Sequence, residues 1–109
     1  MNFIFNIDRK DISMYKLMNV GDVFESLEYG TILVGINPEL DDLSHDQIKN
    51  RIDNRIVIRT PDNNEFSIEV VSIQISSSLM NKKSIGICVG KSINQNEIPL
   101  NSEVYTEKS

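Results

Sequence analysis

The sequence predicts an all-β fold: a small closed antiparallel β-barrel with one short helix near residues 45–52. Three observations lead there. Isoleucine and valine dominate the apolar residues, tryptophan is absent and only 6% of residues are aromatic, a composition that favours strands and an aliphatic core. Short runs of alternating hydrophobicity recur between clusters of turn residues. Three of the five glycines fall between Gly21 and Gly35, where they punctuate such runs as tight turns do.

The elements follow in order. Phe3, Phe5 and Ile7 alternate on one face of a first, half-buried strand over residues 3–7. Residues 8–19 are polar and mixed and read as a connection with some strand. Gly21–Ser26 and Thr31–Ile36 form two strands around a turn near Glu28–Gly30. After Asn37-Pro38 the chain changes character. Glu39, Asp41 and Asp42 make an acidic cluster, and Ser44-His45-Asp46-Gln47 fits a capping box with Ser44 as N-cap. Ile48 and Ile52 follow at helical spacing and predict a helix over 45–52 whose apolar edge rests on the barrel or on a partner.

Arg55–Arg59 is a short strand, and Thr60-Pro-Asp-Asn-Asn64 supplies turn chemistry before a long strand over 65–75. Phe66, Ile68 and Val70 keep one phase of that strand and Val71, Ile73 and Ile75 the other. A change of face inside a strand is what a β-bulge produces, and bulges accompany barrel closure. Residues 76–83 read as a loop with a small basic tip. Ile85, Ile87 and Val89 make another strand, Val104-Tyr105 a short last one, and 106–109 a flexible tail. With no internal repeat, low-complexity tract or boundary, residues 1–109 read as one domain.

Charge is uneven. Residues 1–54 hold 10 acids and 5 bases, whereas residues 55–109 hold 6 of each, which accounts for the net charge of -5. An acidic surplus argues against a nucleic-acid footprint, because phosphate binding needs concentrated Lys and Arg. It suits a basic partner protein met by the acidic half. The beginning of the sequence shows neither a basic n-region nor a long apolar stretch, so it reads as neither signal peptide nor membrane span, and the cytoplasm is the expected compartment. Cys88 stands alone in an apolar strand-like run, where a buried thiol is expected.

Several segments together resemble a known family. Phe3, Ile7 and Asp8 look like the opening strand of the second-domain β-barrel of translational GTPases such as elongation factor Tu. Gly21-Asp-Val23 looks like the start of that barrel's first long hairpin, and Gly30-Thr-Ile-Leu-Val-Gly35 is similar to its turn and strand. Ile85-Gly-Ile-Cys-Val89 resembles the family's Val-Gly-aliphatic strand, and Ile93, Glu97-Ile98 and Val104 its closing segment. The resemblance implies a closed antiparallel barrel without the GTPase domain. Ser26 stands where the family has a middle hairpin glycine, Asn101 where it has a glycine before the last strand, and residues 37–54 look like an acidic insertion. The family's contacts to aminoacyl-tRNA and ribosome have no matching residues here, so none is carried over.

Chemistry-bearing motifs are few. Gly86-Ile-Cys-Val-Gly90-Lys-Ser92 has three residues between its glycines where a P-loop needs four, and its apolar core is itself the strand. Asp41, Asp42, His45 and Asp46 are valid metal ligands, but the same residues suit a capped helix N-terminus better. Lys82, Lys83, Arg51, Arg55 and Arg59 are the only bases that could gather into a patch, and they lack interleaved aromatic stacking platforms. No nucleophile has a base in motif context, so no catalytic residue, metal or cofactor is expected. The expected function is a non-catalytic protein-binding module whose partner meets Glu39, Asp41, Asp42 and Asp46. An immunity protein that neutralises a basic nuclease toxin is the first alternative, and a ribosome- or tRNA-associated factor the second.

Overall fold

The computed structural model describes residues 14–107. The strand expected over 3–7 lies outside the described residues, as do Lys108 and Ser109. Among the described residues the fold comprises seven strands and one α-helix: β1 (Met14–Ser26), β2 (Gly30–Ile36), α1 (His45–Asn50), β3 (Arg55–Arg59), β4 (Glu65–Glu69), β5 (Ser72–Ser77), β6 (Lys83–Gly90) and β7 (Glu103–Glu107). Two 3-10 turns, Pro38–Leu40 and Gln95–Glu97, complete it. All strand pairs are antiparallel, in the order β4-β3-β7-β1-β2-β6-β5. The fold is therefore all-β with a single short helix, as the composition requires.

Strand β1 is longer than the alternation suggests, because it is bulged twice. Its register shifts between Lys16 and Met18 against β7 and between Val20 and Asp22 against β2. The first shift lets the neighbours Leu17 and Met18 both face inward, at 3% and 2% exposure. Consecutive buried residues break a period of two, which is why residues 14–19 look like a connection in sequence. The second shift places Gly21 at the bulge. Gly30 and Gly35 are the glycines that tight contact requires. A Cβ on Gly30, at φ 86°, would fall 2.3 Å from the carbonyl oxygen of Gly90, and one on Gly35 would fall 2.3 Å from that of Asn19.

The expected long strand over 65–75 breaks at Val70-Val71. The Val70 amide donates to the Asn54 carbonyl on the β3 side, whereas the next amide, Val71, donates to the Cys88 carbonyl on the β6 side. Phe66, Ile68 and Val70 pack on the core from β4, and Ile73 and Ile75 from β5, while Val71 is exposed. The phase switch is thus a corner where the chain passes from one end of the sheet to the other. Among the described residues no ladder joins β4 to β5, so the sheet is not closed, and the closed barrel expected from sequence is not confirmed.

Strand β7 is larger in consequence than its sequence suggests: it lies between β3 and β1, near the middle of the sheet. Thr106, assigned to a flexible tail by sequence, belongs to it, is buried and accepts a hydrogen bond from the Asp53 amide. The core is aliphatic, with Leu33, Ile48, Ile56, Ile58, Ile85, Ile87 and Val104 fully enclosed. Burying each such side chain contributes roughly 1.5–3 kcal/mol.

Candidate functional site

The acidic segment after β2 is built into the core. Asn37 caps the first 3-10 turn by accepting from the Glu39 amide at 3.1 Å, and its own amide group donates to the Leu17 carbonyl at 2.9 Å, tying the turn to β1. Ser44 and Gln47 form the reciprocal capping box, with the Gln47 amide on Ser44 Oγ and the Ser44 amide on Gln47 Oε1. Leu40, Ile48 and Ile52 turn inward. Three buried anchors and two caps hold this segment rigidly, so whatever it displays is displayed at fixed positions.

Glu39, Asp42 and Asp46 are exposed, on the 3-10 turn, on the bend after it and in the first turn of α1. Asp41 differs. Its Oδ1 accepts the Lys83 backbone amide at 2.9 Å and its carbonyl accepts Lys83 Nζ at 2.8 Å. The side chain is half-buried and fastens the segment to the start of β6, so Asp41 belongs to the framework more than to the displayed surface. His45 is used locally too, with Nε2 2.9 Å from Ser77 Oγ on β5.

The base-free run of sequence is longer than this segment; of its further acids the structure brings Asp22 near Glu39, while Glu25 and Glu28 lie toward the other end of the β1–β2 hairpin. Between Lys16 and Lys49 the chain has no lysine or arginine, and it carries Asp22, Glu25, Glu28, Glu39, Asp41, Asp42 and Asp46, all but Asp41 exposed. Asp22 and Glu39 both border an open groove of about 620 Å³ floored by Met18, Val34 and Ile36. Ile36 is 56% exposed there. An apolar floor with carboxylates on its border can take the aliphatic stem and charged head of a Lys or Arg side chain. The signal for Asp22, Glu25 and Glu28 was the missing bases on either side of them, which a search for acidic clusters passes over.

The bases do not gather into one patch. Lys16 pairs with Glu103 at 3.0 Å, Arg59 with Glu65 at 2.9 Å and Arg55 with Glu69 at 3.8 Å. Arg59 also lies over the Tyr105 ring, 5.1 Å from its centroid. The bonded Lys16 ammonium holds the Glu103 carboxyl below the usual carboxylate range, with help from the Tyr105 hydroxyl and Arg59, while burial works in the opposite direction. The Glu65 carboxylate raises the Arg59 guanidinium further into its charged form, assisted by Tyr105 and Glu103.

Gly86 and Gly90 lie within β6, which is paired on one side with β2 and on the other with β5; the segment does not open a helix. The Cys88 thiol is buried and donates to the Tyr29 carbonyl at 3.0 Å. Among the described residues no group of three or more His, Cys, Asp or Glu side chains is placed to hold a metal ion, and no helix is long and apolar enough to cross a membrane. Comparisons with protein-family models, curated proteins and solved structures returned no match.

Proposed function

We propose that this chain is a non-catalytic protein-binding module, built on a translation-factor-like β framework, that receives a basic partner on its acidic half. The observation that carries the reading is the run from Leu17 to Ile48, without a lysine or arginine and with exposed carboxylates on a capped, core-anchored backbone. A rigid acidic surface accelerates encounter with a basic protein and selects against acidic ones. A cytoplasmic nuclease toxin is a partner of that chemistry, which makes an immunity protein one form of the reading. The ribosome- or tRNA-associated form is supported less, because Lys16, Arg55 and Arg59 are each paired with a carboxylate.

The test is capture of the partner from the native cell, followed by association kinetics at several salt concentrations. Replacing Glu39, Asp42 and Asp46 together by Gln, Asn and Asn should slow association about tenfold at low salt and flatten its salt dependence. Asp41 is left in place, because removing it would loosen β6. Unchanged kinetics would exclude the acidic half as the contact surface, and recovery of RNA or ribosomes in place of a basic protein would overturn the reading.

A further inference from the structure

The two end strands of the sheet differ in what lies beside them, and that difference points to a second binding surface. In the β3–β4 hairpin the Thr60 amide donates to the Asn64 carbonyl and the Val70 amide to the Asn54 carbonyl. Antiparallel alternation between these two points sends the backbone groups of Phe66 and Ile68 toward β3. The N–H and C=O groups of Glu65, Ser67 and Glu69 therefore face away from β3. Past the corner, β5 finds β6 beside it. Beside β4 no strand follows among the described residues, because β6 ends at Gly90. What remains is a cleft of about 400 Å³ bordered by Ser67, Glu69, Gly90 and Lys91.

The outer face of the sheet indicates what this edge accepts. Lys16 on β1, Glu103 on β7, Arg59 on β3 and Glu65 on β4 form a row of alternating charge across four strands. Arg59 stands opposite Glu103 on one side and Glu65 on the other. The row ends at the open edge on a carboxylate. On the inner face Phe66 and Ile68 are only half-buried, and they offer apolar area that a further strand would cover.

We infer that β4 is a site of β-strand addition for an extended segment of a partner protein with a basic residue opposite Glu65 and apolar residues on alternate, inward-facing positions. Main-chain bonds to Glu65, Ser67 and Glu69 supply the attachment, and the base continues the charge row. The surface is distinct from Glu39, Asp42 and Asp46. It extends the protein-binding reading without depending on which residues of the acidic half are used.

The experiment uses the full-length chain and a soluble synthetic peptide, Thr-Val-Arg-Val-Thr-Val, observed by backbone amide NMR and hydrogen exchange. Binding should protect the amides of Glu65, Ser67 and Glu69. Replacing the peptide arginine by glutamate should weaken binding about tenfold, and Glu65→Lys should reverse that preference. N-methylation of the peptide amides that face β4 should abolish binding while leaving its side chains intact. The inference is overturned if the N-methylated peptide binds equally well, or if arginine and glutamate peptides bind alike. It is also overturned if the three amides are already protected in the free chain, since the edge is then occupied. Perturbation confined to Glu39, Asp42 and Asp46 would remove strand addition and leave the acidic-surface reading standing.

Discussion

Strands β4 and β5 are consecutive in sequence, similar in length and alike in alternation, yet they end the sheet in opposite circumstances. Helix α1 packs on β5, with Ile48 buried and His45 reaching Ser77. Strand β4 has no covering element among the described residues, and its outward row, Glu65, Ser67 and Glu69, is exposed. Unpaired edges invite association, and proteins manage them by covering them or by placing charge on them. Here each end uses one of the two devices. At one end α1 packs on the strand; at the other, no described strand pairs with the outward backbone groups, and the exposed carboxylates of Glu65 and Glu69 flank them.

Four expected outcomes break or sharpen that contrast. Ile48→Ala removes the fully buried anchor of the cover and should cost about 2–5 kcal/mol in chemical denaturation, with exchange protection lost first in β5. Equal loss in β4 would mean that the two ends do not differ. Proline at Ile68, whose amide faces β3, removes a ladder hydrogen bond and should cost about 1–3 kcal/mol. Proline at Ser67, whose amide faces outward, should cost clearly less, as edge strands tolerate it; equal losses would contradict the assigned alternation. Ser44→Ala removes the helix cap and should cost about 1 kcal/mol, visible as faster exchange at the start of α1.

The smallest effect is electrostatic. Glu103 is held below its ordinary range chiefly by Lys16. Its contribution to stability is therefore complete above the unfolded carboxylate value and is lost as pH falls through the lowered folded value. Glu103→Gln should lower stability slightly at neutral pH, flatten the acid limb of the stability profile in that window, and leave stability below the window nearly unaffected. An unchanged acid limb would mean that the charge row is too well solvated to matter.

Much of this was legible in the chain because it is local. The capping box at Ser44–Gln47 and the turn at Thr60–Asn64 each follow from a few neighbouring residues and are found in place. The change of phase near Val70 was legible as well, but it marks a corner between two strands and not the bulge within one strand that the sequence suggests. Misreadings arose where a residue's role depends on a distant contact. Leu17-Met18 looked irregular because the bulge opposite β7 is invisible without β7. Asp41 looked like one more exposed carboxylate because its partner, the Lys83 amide, lies far along the chain. The acids Asp22, Glu25 and Glu28 were overlooked because each stands alone, and only the absence of bases around them joins them to the segment after β2.

The sequence by itself determined the β class, the short capped helix and the acidity of residues 17–48, since alternation, caps and side-chain charge are properties of short stretches. Only the tertiary structure decided that β7 sits inside the sheet and, among the described residues, that the ladder is not closed and that α1 packs on β5 while no helix packs on β4. It also decided that lysine, glutamate, arginine and glutamate from four separate strands share one row. Strand neighbours are chosen by burial of the whole core at once, and no local pattern encodes which of two similar strands will be left at the edge.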